Sequence, residues 1–167
     1  MRVRHVSERV ALSLVPDPQS ALISITEPGR VAPLPSPDAW GALLRVQFAD
    51  AEYDNAMLAR LEARGVPFNA DAKGFPCRRH ADAIHAFLAS LDAGSVRELI
   101  VHCHAGQRRS AAVAKFADET LAAEGFDHDY EGYNKTVYAL LKNPVAFEVR
   151  SPAREAKGWL KRWLLRL

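Results

Sequence analysis

Cys103 and Arg109 are the residues whose types and spacing carry the sharpest chemistry. They lie in His102–Ser110, HCHAGQRRS, with five residues between them. A short apolar run, Leu99–Val101, precedes the segment and reads as a strand. Ala111–Glu124 follows, with Val113, Phe116, Ala117 and Leu121 on one helical face. A strand-to-helix turn presents several N–H groups at the helix N-terminus, and with the helix dipole these make an anion site. Cysteines facing such a site have pKa values lowered to about 3.5–7.5, and a thiolate can attack phosphorus to form a covalent intermediate. The spacing lets the chain curl so that the amides of His104, Ala105, Gly106, Gln107, Arg108 and Arg109 face inward. The Arg109 guanidinium then closes the ring as a planar fork for two oxygens. Gly106 sits where the curl needs relaxed backbone angles, and the Ser110 hydroxyl can donate to the Cys103 sulfur and help it leave. A bare Cys-x5-Arg is a weak match. The flanking His102, Gly106, Ser110, strand and helix make the signal strong.

The elements that must hold this loop follow from apolar runs and breakers. Val10–Val15, ended by Pro16-Asp17-Pro18, and Leu22–Ile25, ended by Pro28-Gly29, read as short strands. Four prolines make residues 28–37 a loop, with Ser36 capping a helical turn at Pro37–Gly41. Leu43–Phe48 reads as a third strand. Met57, Leu58 and Leu61 suggest a helix stopped by Gly65 and Pro67. Arg79–Leu91 reads as a helix from Ala81, Ile84, Leu88 and Leu91, and Gly125 is expected to close the Ala111–Glu124 helix. Thr136–Lys142 and Pro152–Leu167 read as two more helices. Strands alternate with helices, so the expected fold is a single α/β domain over 1–167, its core about 10–145. A central, mostly parallel sheet is flanked by helices.

Composition sets outer bounds. An apolar content of 49% with 25% charged residues fits a globular chain, and a net charge of +2 gives no argument for a nucleic-acid partner. Two cysteines, Cys77 and Cys103, are too few for a disulfide-stapled secreted domain. The opening MRVRHVSERV lacks the apolar stretch of a signal peptide, and no run approaches a membrane span. The expected location is cytoplasmic. The segment AREAKGWLKRWLLRL is amphipathic, with Trp159, Leu160, Trp163, Leu164 and Leu167 on one face. Packing on the domain is favoured over contact with a membrane surface. No cofactor is implied. His102, Cys103 and His104 do not make a metal site, because consecutive strand residues point to opposite faces.

HCHAGQRRS resembles the HC-x5-RS signature of the protein-tyrosine-phosphatase superfamily. The small size and the loop's position past the chain's midpoint look like its dual-specificity branch. The ISIT strand, a strand ending in Phe-x-Asp, the HADAIHAF helix and the YNKTVYALLKN helix resemble small bacterial members over roughly residues 10–145. The resemblance implies a dual-specificity-phosphatase-like fold and a phosphomonoesterase acting on a phosphorylated protein or a small phosphomonoester. It implies that His102 orients the loop, and that an aspartate before the signature protonates the leaving group. Asp50, in Val46-Gln47-Phe48-Ala49-Asp50, matches the acid's place after a strand. Asp71 has the better distance to Cys103 but lies in a loop-tip context. Asp54 is third. His104, Gln107 and Arg108 occupy variable-type positions at the rim, and a disulfide between Cys77 and Cys103 would require them to be close. Two other readings stand beside this one: a phosphate-binding module with weak catalysis, and a phosphoinositide phosphatase. The second is disfavoured because the loop lacks the extra lysines of such family members.

Overall fold

The computed structural model describes residues 1–92 and 94–148. The helix expected over 152–167 lies outside them. In chain order the elements are β1 (Arg2–Ser7), α1 (Glu8–Ala11), β2 (Ser20–Thr26), β3 (Ala42–Gln47), α2 (Asn55–Ala63), α3 (Arg78–Ser90), β4 (Glu98–Cys103), α4 (Arg109–Leu121) and α5 (Lys135–Lys142). A turn of 3-10 helix spans Pro37–Ala39.

The strands form one parallel sheet in the order β1-β4-β2-β3. Strands buried on both faces read as continuous apolar runs, and β2 and β4 behave so: every residue of β2 is buried, as is β4 from Leu99 to Cys103. Alternation along the strands sorts the side chains between two layers. Ile23, Ile25, Leu99, Val101 and Cys103 pack with α3, α4 and α5 on one face. Leu22 and Ile100 face a second cluster of Ala11, Ala32, Leu34 and Trp40, supplied by α1 and the proline-rich stretch. The fold is therefore an α/β domain with an all-parallel central sheet flanked by helices.

Three expectations are corrected. Val10–Val15 is not a strand: α1 runs to Ala11, and a turn follows it. The Ser7 Oγ caps this helix by accepting the Val10 N–H, and Ala11 is buried while Val15 is exposed. The first strand lies earlier instead, over Arg2–Ser7, where Val3 is fully buried. α4 ends before Gly125, its last turn closed by Ala122 in a left-handed conformation. Gly125 lets the chain pass β1, where a Cβ would lie 2.7 Å from the Val3 carbonyl oxygen. Ser36 stands before the 3-10 turn as expected, but its side chain makes no capping hydrogen bond.

Candidate functional site

Parallel sheets place ligand sites beyond the carboxyl ends of their strands. Here the register aligns Ser7 with Cys103 across β1 and β4, and Ser24 with His102 across β2 and β4. Residues just past those strand ends therefore converge on the loop from Cys103 to Ser110.

The loop is held by its carbonyl groups. The Glu8 N–H donates to His104 O at 3.2 Å, and the Asn134 N–H donates to Arg108 O at 3.1 Å. The Tyr130 hydroxyl donates to Gln107 O at 3.0 Å. His5 Nδ1 is 2.8 Å from Gly106 O and donates to it, since a carbonyl oxygen only accepts. A trans peptide points its C=O and the next N–H in opposite directions, and no peptide bond among the described residues is cis. The N–H groups of Ala105, Gln107, Arg108 and Arg109 therefore point away from these donors. None of the four has an acceptor among the described residues. Gly106 permits the curl at φ +72°; a Cβ there would lie 2.3 Å from the Ser7 nitrogen.

Cys103 is buried at the end of β4, with its Sγ 3.1 Å from the Ser110 Oγ in the first turn of α4. Arg109 is buried too. Its Nη1 donates to the Phe48 carbonyl at 2.7 Å, its Nη2 pairs with Glu27 at 2.7 Å, and its Nε has no partner among the described residues. A buried guanidinium N–H left unpaired is costly, and an oxyanion would satisfy it. His102 lies on the opposite face of β4 and is fully buried, its Nε2 2.8 Å from the Ser24 Oγ. Burial pushes its pKa down to about 4, against the pull of Glu8, so the ring is neutral at pH 7. His104, Ala105, Gln107 and Arg108 are exposed.

The three aspartates separate clearly. Asp50 lies beside the loop: its Oδ1 accepts from Asn134 Nδ2 at 2.8 Å and from Arg108 Nε at 3.3 Å. Asp54 caps α2, accepting the Met57 N–H at 2.7 Å. Asp71 pairs with Arg79, whose hydrogen bond holds its carboxyl below the usual carboxylate range. Cys77 caps α3 next to His80, and burial pushes its thiol pKa up, opposing thiolate formation. No group of three metal-binding side chains is found among the described residues.

Sequence reasoning missed Glu27, Glu52, Asn134, His5 and Tyr130. Glu52 pairs with Arg108 at 2.9 Å. One signal was present for Glu27: it directly follows an apolar strand, where a parallel sheet opens its site. No protein-family model matches this sequence, no curated protein is detectably similar to it, and no solved structure resembles it at a significant level.

Proposed function

We propose that the chain is a cysteine-dependent phosphomonoesterase, a protein tyrosine or dual-specificity phosphatase acting through a phospho-cysteine intermediate. One observation carries the reading. A loop with its carbonyls tied outward leaves four N–H groups and the buried Arg109 Nε without acceptors, next to a cysteine that contacts a hydroxyl. Amides and a guanidinium so arranged suit the equatorial oxygens of a phosphoryl group in transfer.

The steps follow from that placement. The Cys103 thiolate attacks phosphorus, forming a P–S bond as the bond to the leaving oxygen breaks. Asp50 protonates that oxygen. Water then attacks phosphorus, giving its proton to Asp50, while the P–S bond breaks and Ser110 donates to the departing sulfur. The substrate is a phosphorylated protein or a small phosphomonoester. No helix among the described residues is long and apolar enough to cross a membrane. Two free cysteines support a cytoplasmic location, where a thiolate nucleophile stays reduced.

The test is Cys103→Ser. Aryl phosphate hydrolysis is expected to vanish while circular dichroism and melting stay as in the parent; retained turnover overturns the reading. One observation favours a phosphate-binding module with weak catalysis: Arg108 and Asn134 already donate to the Asp50 Oδ1, so that oxygen is engaged by partners other than a leaving group. Phosphate binding without turnover of a substrate with a poor leaving group would establish that alternative.

A further inference from the structure

We infer that His5 and Tyr130 are positioning residues that fix the direction of two anion-binding N–H groups. The inference rests on the reading of the Cys103 loop as an oxyanion site. Of the four donors that hold the loop carbonyls, two are backbone N–H groups, of Glu8 and Asn134. The other two are side chains from opposite ends of the chain: His5 on β1, and Tyr130 between α4 and α5.

Each works through one peptide plane. His5 holds Gly106 O, and the same peptide carries the Gln107 N–H. Tyr130 holds Gln107 O, and that peptide carries the Arg108 N–H. Flipping either plane would turn its N–H out of the ring and its carbonyl dipole toward the bound anion. Such loops permit flips where a glycine flanks the peptide, and Gly106 flanks the first. The two donors brace one another, with ring centroids 5.6 Å apart; Phe126 lies 5.7 Å from His5 on the same face. His5 shares the strand face of Val3, which is fully buried, so its ring is aimed by β1 and not by a mobile loop. Its task also sets its tautomer, because donation to a carbonyl requires the proton on Nδ1.

The experiment compares His5→Phe, His5→Asn and Tyr130→Phe, each alone and on a Cys103→Ser background. Inorganic phosphate and tungstate binding is measured by calorimetry, with kcat and KM for an aryl phosphate and melting temperature alongside. The phenylalanine variants keep the rings and remove the donors. Both are expected to weaken oxyanion binding and lower kcat/KM by about tenfold, less than the 10²–10³ lost when an oxyanion donor is deleted outright. His5→Asn, whose amide N–H lies near the Nδ1 position, is expected to recover much of the loss. Unchanged binding and kcat/KM in both phenylalanine variants overturn the inference. A His5→Asn as weak as His5→Phe overturns the Nδ1–H part of it. Tyr130→Phe keeps the inference falsifiable should a β1 variant fail to fold, since Tyr130 is only half-buried. If the parent protein binds neither oxyanion and hydrolyses nothing, the underlying site reading fails instead.

Discussion

At the scale of single residues, the loop was legible because its parts are contiguous: a thiol, a glycine, a guanidinium and a hydroxyl within nine positions. The proposed acid was not, because sequence distance and local context pointed to different aspartates. Geometry separates them by place, since all three have partners: Asp54 caps a helix and Asp71 is paired with Arg79, whereas the partners of Asp50 are Arg108 of the loop itself and Asn134, whose N–H holds the Arg108 carbonyl. Asp50→Asn is therefore expected to lower kcat for phenyl phosphate by about 10²-fold or more, the usual scale of general acid catalysis. The loss should be smaller for nitrophenyl phosphate, whose leaving group needs less protonation. Equal losses on both substrates would remove Asp50 from that role. Gly106 offers a second test. An added methyl meets the β1 backbone at 2.3 Å at a φ that side chains rarely adopt, and neither the loop nor the strand end can move without losing the carbonyl tethers. Gly106→Ala is expected to abolish turnover and oxyanion binding and to lower the melting temperature, by a cost of about 1–3 kcal/mol for the strained backbone. Full activity in that variant would show that the loop does not need this conformation.

At the scale of elements, β2, α3, α4 and α5 were readable because each carries a mostly apolar run or a helical stripe. β1 was not: it mixes two arginines and a histidine with two valines three positions apart, without a period-two pattern, and it lies at the sheet edge with only Val3 buried. Missing that strand also hid His5. Asn134 escaped for a related reason, since its importance comes from where α5 starts and not from any local motif. It is fully buried and does four things. Its Oδ1 caps α5 through the Val137 N–H, its Nδ2 donates to Asp50 and to Ala51 O, and its N–H holds Arg108 O. The side-chain tasks separate by substitution. Asn134→Ala removes cap and donor together and is expected to cost about 1–2 kcal/mol in urea unfolding from the cap alone. Asn134→Ser restores a capping oxygen but cannot reach Asp50 with an amide. It should recover stability relative to alanine while kcat for poor leaving groups stays reduced. A serine variant with parental kcat would show that Asn134 serves only the helix.

At the scale of the whole molecule, two buried histidines, one on each side of the sheet, couple stability to pH. His102 faces the Ile100 layer, and His80, at the start of α3, lies 5.0 Å from Phe48 in the other. Burial is the main reason both pKa values are pushed down to about 4, reinforced at His80 by Arg79 and opposed at His102 by Glu8. An unfolded histidine titrates near 6.5. Both groups thus bind protons more weakly folded than unfolded, so their contribution is present above about 6.5 and lost as pH falls toward 4. The loss is on the order of 3 kcal/mol for each at its limit, from 1.36 kcal/mol per pKa unit. His80 adds a structural consequence, because its Nδ1 accepts the Cys77 N–H at 3.1 Å at the head of α3. Protonation removes that acceptor and uncaps the helix that packs on the sheet beside Phe48. The urea midpoint is therefore expected to fall steeply between pH 6.5 and 4.5, with α3 amides losing hydrogen-exchange protection early in the same interval. His80→Asn, which keeps an acceptor for the Cys77 N–H but does not titrate, should flatten roughly half of that dependence. A midpoint constant from pH 7 to 4.5 would mean that both imidazoles take up protons as readily in the fold as outside it.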